Sequence, residues 1–232
     1  MAETKKVQEA TVVVPDDSAR VLNQAKGFWE QNKKFILIGG GALVLLVGGW
    51  FGYKKFISEP NNDKANEAIW KAQQYLDKDS IKLALNGDGQ SAGFEKIAKN
   101  HSGTKAGNLA KYYTGLCYLK LSDFNKAVTY LKDYSSDTKP TQALAYRLLG
   151  DAYSELNKNE EAIQYYEKAG HYFTEDEGQS SESLFRAGLK SEVIGKNENA
   201  VKYYKEIKEK FPKTERGYQV DKYLARLGVT EL

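Results

Sequence analysis

The sequence predicts an all-α protein in which a single N-terminal transmembrane helix is followed by a solenoid of helical repeats. One observation is an uncharged run, residues 35–53, in a chain of 232 residues of which 28% are charged. The other is a pattern of small residues that returns three times in one register. A pattern with a period of roughly 20–50 residues is typical of repeat architectures.

The run from Phe35 to Tyr53 contains no charge, Asn, Gln or Pro, and a lysine pair stands at each end. As a helix it would be about 28 Å long, which matches the hydrocarbon core of a bilayer. A buried helix of a soluble protein is disfavoured because the run has no polar face. A cleaved signal peptide is disfavoured because a long charged region precedes the run and no small-residue cleavage site follows it.

Two glycines of this run, Gly48 and Gly52, form a small-xxx-small pair. Such a pair allows close approach of a second transmembrane helix. The spacing therefore predicts a contact with a partner's span, and its alternative is the general tolerance of glycine in lipid.

The residues before the run have a pattern of their own. Val12–Pro15 is predicted to be extended, and Asp16, Asp17 or Ser18 can cap a helix. This helix is predicted to lie in the membrane interface or to dock onto a partner, and its alternative is a disordered tail. Its apolar residues at helical spacing are Val21, Leu22, Ala25, Phe28 and Trp29.

Three segments of the second half share one register. Gly115, Gly150 and Gly188 are each followed twelve residues later by an alanine and four residues beyond that by a large side chain. The intervals between successive glycines are 35 and 38 residues. Small residues let two helices approach closely, and large ones fill the space between them. The alanines are Ala127, Ala162 and Ala200, and the large residues are Leu131, Tyr166 and Tyr204.

These segments resemble the tetratricopeptide repeat, a helix-turn-helix unit of about 34 residues. The first copy departs from the family pattern at Lys111 and Thr114, and the third departs at Ser191. The resemblance implies that the units stack into a solenoid. The middle copy matches at Tyr146, Leu149, Gly150, Tyr153, Ala162, Tyr166 and Ala169.

The predicted segments follow from these patterns. The degenerate unit pairs a helix at Asn66–Leu76 with one at Phe94–Lys99 that is followed by the residues from Thr104 onward, and a final helix runs from Glu215 to Leu227. Residues 79–92 fit a helix end, a short strand or an irregular loop. The segments are an N-terminal segment with a short amphipathic helix (1–34), the transmembrane helix (35–53), a linker with a degenerate first helical unit (54–107), three repeats (108–213) and a C-terminal capping helix (214–232).

Little in the sequence indicates catalysis, a cofactor or a metal site. The two histidines, His101 and His171, have no metal-ligand spacing to Cys117, which is expected to be a packed thiol. The net charge of +3 is too small to predict a nucleic-acid surface. We therefore expect neither an enzyme nor a binder of nucleic acid or of a small-molecule substrate.

The tetratricopeptide resemblance implies a groove, lined by the first helix of each unit, that receives a peptide or a helix of a protein partner. The alternative is a solvated face with occasional apolar residues. The acidic stretch at 174–178 is either a partner-facing loop or a solvated linker. Transferred position by position, the groove residues are Tyr112, Leu116, Leu119 and Lys120, then Arg147, Asp151, Ser154 and Glu155, then Phe185, Leu189 and Glu192.

The order of the segments resembles the ancillary SecYEG translocon subunit family of bacterial inner membranes. That resemblance implies a single-pass inner-membrane protein with a cytoplasmic N-terminal segment and a periplasmic C-terminal domain. The partners it implies are translocon subunits, periplasmic chaperones and unfolded clients.

Charge does not orient the span. Within twenty residues of the run, four Lys or Arg precede it and four follow it, so the positive-inside rule is silent. A cytosol-facing import receptor and a structural scaffold of envelope or division machinery therefore remain alternatives. The residues counted are Arg20, Lys26, Lys33 and Lys34 before the run, and Lys54, Lys55, Lys64 and Lys71 after it.

Overall fold

The computed structural model describes residues 17–229, and the chain divides into two units between Ile57 and Ser58. The predicted extended stretch Val12–Pro15 and the predicted cap Asp16 lie outside the described residues. Between residues 17 and 229 the secondary structure is helical and contains no β-strand. The predicted all-α fold class is therefore confirmed.

The first unit contains one long helix, α1 (Asp17–Tyr53). It runs without interruption through the stretch predicted as an amphipathic helix and the stretch predicted as a span. Its apolar side chains are exposed, with Phe35 and Leu45 each at 78%. By length and composition, one helical stretch of the described residues, Val21–Asp77, could cross a membrane, and it includes α1 from Val21 onward. A π-helical turn, Lys54–Ser58, follows.

The second unit is a succession of helices, each packed against the next one along the chain. Two cores of buried side chains, which share partly buried neighbours, run through this succession. The helices are α2 (Glu59–Asp77), α3 (Ile81–Asn86), α4 (Phe94–Asn100), α5 (Lys105–Lys120), α6 (Phe124–Lys132), α7 (Lys139–Glu155), α8 (Asn159–Tyr172), α9 (Glu177–Val193), α10 (Asn197–Lys210) and α11 (Glu215–Arg226).

Helices α5 and α6, α7 and α8, and α9 and α10 form the three predicted repeats. In each repeat the alanine of the shared register is fully buried. Thr114 and Ser191, two of the departures from the family pattern, are also buried. Their burial is tolerated because each hydroxyl donates a hydrogen bond within its own helix. Thr114 donates to the Ala110 carbonyl at 2.7 Å, and Ser191 donates to the Ala187 carbonyl at 2.8 Å.

Four turns between consecutive helices share one backbone geometry, in which a single residue has positive φ. In three of them the residue with positive φ lies seven residues after the repeated glycine, and in the fourth Asp79 lies seven residues after Ala72. Helices α2 and α3 therefore form a hairpin with the same turn, whereas the sequence paired α2 with the helix at Phe94–Lys99. The left-handed residues are Asp79 (φ 54°), Ser122 (φ 61°), Asn157 (φ 57°) and Gly195 (φ 76°).

Candidate functional site

The first helices of successive repeats lie side by side. Helix α5 contacts α7, α7 contacts α9, and α9 contacts α11. Each predicted groove residue belongs to α5, α7 or α9, so the structure brings these residues onto neighbouring helices. We call the surface formed by α5, α7, α9 and α11 the first-helix face.

Two of the predicted groove residues are part of the core. Tyr112 is 7% exposed and packs against Tyr134, with the ring centroids 5.5 Å apart. Phe185 is 2% exposed and lies beneath the Arg216 guanidinium, whose carbon is 4.2 Å from the ring centroid. Tyr223 meets the same ring edge-on at 4.8 Å. These aromatic side chains therefore stabilise the stacking of repeats and offer a partner little surface.

Ion pairs tie the second half of the first-helix face together. Arg186 of α9 donates from Nη1 to Asp151 of α7 at 2.9 Å and from Nε to Glu182 at 2.7 Å. Arg216 of α11 donates from Nε to the second oxygen of Glu182 at 2.6 Å. We call the row Asp151, Arg186, Glu182 and Arg216 the charge ladder. It joins α7, α9 and α11 across successive units.

Three carboxylates of this half, those of Asp151, Glu182 and Glu192, accept hydrogen bonds from protein donors. Asp151 also accepts a hydrogen bond from the Tyr166 hydroxyl at 2.8 Å. Burial and that carboxylate raise the pKa of Tyr166. Glu192, near the end of α9, accepts from the Tyr204 hydroxyl and from Nη2 of Arg226 at 2.7 Å. The carboxylates of Asp151 and Glu192 therefore hold neighbouring helices together by accepting hydrogen bonds from them.

The charge of Glu182 is held by its two arginines. Its burial would raise the pKa of the carboxyl, but the hydrogen bonds and charges of Arg216 and Arg186 lower it below its usual range. Glu182 is therefore ionised at neutral pH, and its two oxygens hold α9 and α11 in one arrangement.

The first half of the face has a different character. Leu116 and Leu119 of α5 are partly exposed, and so is Arg147 of α7. Within residues 17–229 the Arg147 side chain makes no ion pair, and its Nε is buried without a hydrogen-bond partner. Lys120 lies 3.7 Å from Asp79. This half therefore combines apolar side chains with an arginine that has no carboxylate of its own among the described residues.

The remaining predicted groove residues lie in the C-terminal halves of α7 and α9. Ser154 is partly exposed and Glu155 is exposed, both in the last turn of α7. Leu189 borders a shallow cleft of about 220 Å³ together with Arg186 and Val193, and Val193 is 71% exposed.

The glycines predicted to contact a partner's span lie in open space. A Cβ added at Gly48 or Gly52 would meet no atom of the described residues within 4 Å. A helix contact at this pair stays a prediction.

The cysteine and the two histidines make structural contacts. Cys117 is fully buried, and burial raises the pKa of its thiol to about 12. His101 bonds through Nδ1 to Asn61 at 2.6 Å, and His171 bonds through Nε2 to Glu206 at 2.9 Å. Among residues 17–229 no group of three or more His, Cys, Asp or Glu side chains is placed to hold a metal ion.

The arginines of the charge ladder did not figure in the sequence prediction, although a signal for them exists. Glu182 and Arg186 have the i,i+4 spacing of a helical ion pair. Glu182 and Arg216 are 34 residues apart, as are Glu192 and Arg226. One repeat length brings two residues to matching places on neighbouring first helices, so opposite charges at that interval predict a bridge between units.

Comparison with protein families identifies the repeats. Residues 109–137 and 182–214 match one family model described as tetratricopeptide repeat, and residues 143–169 match another of the same description. A comparison with curated proteins found no match. The chain therefore contains tetratricopeptide repeats, a class of helical repeat whose members generally bind protein partners.

Proposed function

We propose that this protein is a membrane-anchored adaptor that binds a segment of a protein partner on the first-helix face. The observation that carries the proposal is the contrast between the two halves of that face. Asp151, Glu182, Arg186 and Arg216 of the second half pair with one another, whereas Leu116, Leu119 and Arg147 of the first half are partly exposed and Arg147 has no ion pair among the described residues. A partner would therefore dock chiefly on α5 and α7.

The chemistry of this half selects the partner segment. Leu116 and Leu119 lie one helical turn apart, as required for contact with the apolar side of an amphipathic or extended segment. The partly exposed Arg147 suits a carboxylate of the same segment, because its positive charge has no ion-pair partner among the described residues. A segment with apolar side chains beside one acidic group would satisfy both.

Membrane anchoring is supported by the exposure of α1. Leu45 and Leu46 are 78% and 74% exposed, and large apolar side chains cover much of the helix around them. In water this surface would be strongly unfavourable at about 25 cal/mol per Å². A bilayer would cover it, and the lysines at both ends could reach the two interfaces.

The inner membrane, the periplasmic side and proximity to the Sec translocon are the finer parts of the proposal. They rest on the order of segments, which resembles the ancillary SecYEG subunit family. In this arrangement the anchor would raise the local concentration of the binding face beside the channel. Translocon subunits, periplasmic chaperones or emerging clients would be the partners. A structural scaffold of envelope or division machinery, or a cytosol-facing import receptor, would use the same face with other partners.

Site-specific photocrosslinking in cells tests the binding face. A photoreactive amino acid at Leu119 should crosslink to partner proteins, and Arg147→Gln should weaken those crosslinks. The same amino acid at Lys205, an exposed position of α10, is the matched control. Identical crosslinks from both positions, or no effect of Arg147→Gln, would move the binding site away from α5 and α7.

Protease protection in spheroplasts tests the side of the membrane. Cleavage of residues 58–229 in spheroplasts, but not in intact cells, would support the translocon and envelope-scaffold functions. Protection until lysis would place the face in the cytosol and favour an import receptor. The translocon-subunit part of the proposal would then fail, whereas the binding face on α5 and α7 would still stand.

A further inference from the structure

A second cleft lies among α6, α7, α8 and the loop between α6 and α7. Its volume is about 410 Å³, within the range of sites that hold a ligand or a large side chain of a partner. None of its lining residues belongs to the predicted groove. Leu131 and Leu149, 1% and 2% exposed, lie beneath its floor.

Tyrosines provide the walls of this cleft. Tyr146 of α7 meets Tyr172 of α8 edge-on, with centroids 5.2 Å apart, and Tyr165 lies 6.4 Å from Tyr146. Tyr172 is 39% exposed. Within residues 17–229 the hydroxyls of these three tyrosines donate to no protein acceptor. The cleft therefore offers aromatic faces together with free O–H donors.

Two lysines give the cleft its charge. Lys132 and Lys168 both line it, and neither forms an ion pair with a carboxylate of the described residues. The Lys168 ammonium lies 4.0 Å from the centroid of the Tyr146 ring, so it is held over the cleft by a cation–π contact. Asp137 is the one acidic side chain of the lining. The cleft is therefore a cationic site with hydroxyl donors.

The loop that borders the cleft is fixed by hydrogen bonds. The Ser136 amide donates to the side-chain carbonyl of Gln142 at 2.7 Å, and Gln142 is 5% exposed. Asn108 of α5 donates to the Ser135 carbonyl. These bonds hold the loop against α5 and α7, which reduces the ordering that binding would require.

We propose that this tyrosine-lysine cleft is a second docking site, which takes a short acidic segment of a partner protein. An apolar side chain of the segment would pack against the exposed ring of Tyr172. Flanking carboxylates would accept hydrogen bonds from Lys132, Lys168 and the free tyrosine hydroxyls. The protein would then hold two partner segments at once, one here and one on the first-helix face.

Fluorescence anisotropy with the full chain in lipid nanodiscs tests this site. The probe is a fluorescein-labelled peptide of Asp and Glu residues around one Phe, and its counterpart carries Asn and Gln in place of the acids. We expect the acidic probe to bind more tightly than its neutral counterpart. Lys132→Glu combined with Lys168→Glu should weaken binding of the acidic probe by at least about tenfold, since reversed charges repel it.

Lys205→Glu combined with Lys213→Glu is the matched control, because it changes the net charge equally at exposed positions outside the cleft. Tyr172→Ala should also weaken binding, because it removes an aromatic wall and a donor without altering charge. Equal binding of the two probes, equal losses in both double variants, or full binding by Tyr172→Ala would each overturn the proposal. Circular dichroism of each variant checks that the fold is retained.

Discussion

The Tyr166 ring lies against the backbone of Gly150, so closely that a Cβ built on the glycine would stand 2.5 Å from Cδ1 of the ring. The same overlap would occur between Gly115 and Leu131 and between Gly188 and Tyr204. In all three repeats the glycine is the place where the first helix accepts the large side chain of the second. The sixteen-residue interval of the sequence therefore corresponds to one physical contact.

The first prediction concerns this contact. Alanine in place of glycine stabilises an ordinary helix by about 0.5–1 kcal/mol. Gly150→Ala should instead lower the free energy of unfolding by about 1–3 kcal/mol, because the methyl group forces the Tyr166 ring to move. Urea unfolding followed by circular dichroism measures the change.

Gly178→Ala is the control for that experiment. Gly178 also lies in a helix, α9, but its added Cβ would make only an ordinary contact of 3.6 Å with the Asp176 side chain. This substitution should leave stability unchanged or raise it. A loss at Gly178 as large as that at Gly150 would contradict the close-packing explanation.

The second prediction concerns Glu182 and pH. Its folded pKa lies below the ordinary value of 4.5, so the carboxylate contributes stability above pH 4.5 that is lost as pH falls through the folded pKa. Glu182→Gln removes this contribution and should lower the free energy of unfolding by about 1–2 kcal/mol at pH 7.

The difference between the two proteins should therefore shrink as the pH is lowered below 4.5. Urea unfolding of both proteins across this range measures it. A difference that stays constant with pH would mean that the charge of Glu182 is unimportant to the bridge between α9 and α11.

The third prediction separates core from surface on α9. Phe185→Ala should destabilise the protein by about 3–5 kcal/mol, because it leaves a cavity beneath Arg216 and Tyr223. Leu189→Ala, one turn further on, should cost only about 1 kcal/mol, because that side chain is partly exposed. Thermal unfolding of both variants measures the contrast, and equal losses would contradict the burial of Phe185.

The fourth prediction concerns Cys117. With its pKa raised to about 12, the buried thiol carries almost no thiolate at pH 8. Alkylation by iodoacetamide should be at least about a hundredfold slower in the native protein than in urea. Lys205→Cys in a Cys117→Ser background is the exposed control and should react rapidly in both conditions. Rapid native labelling of Cys117 would show that α5 opens locally.

The repeats were predictable because their close contacts recur at a fixed interval. Small residues on one helix must face large ones on the next, and the chain repeats that requirement in each unit. The first hairpin was harder to predict because Ala72 stands where the glycine is expected and α3 is short. Its second helix was therefore assigned to α4. The sequence also did not show that the predicted amphipathic helix and the predicted span form one continuous helix, α1. Two adjacent helical patterns can belong to one helix or to two.

The candidate groove was predictable only in part. Position within the repeat assigns Tyr112 and Phe185 to the first-helix face, but their burial depends on what the neighbouring helices place over them. Arg216 covers Phe185 from α11, and Tyr134 packs on Tyr112 from the loop after α6. The sequence of one unit contains neither contact.

The sequence by itself determined the helical class, the exposed apolar run of α1 and the register of the repeats, because each depends on local periodicity. The tertiary structure decided which charges are already paired and which remain free. Asp151 and Arg147 lie one turn apart on α7, yet Arg186 and Tyr166 both donate to Oδ1 of the first, and the Nε of the second has no partner among the described residues. That difference arises from the stacking of neighbouring units, since a side chain of one repeat is satisfied or left unpaired by the repeat beside it.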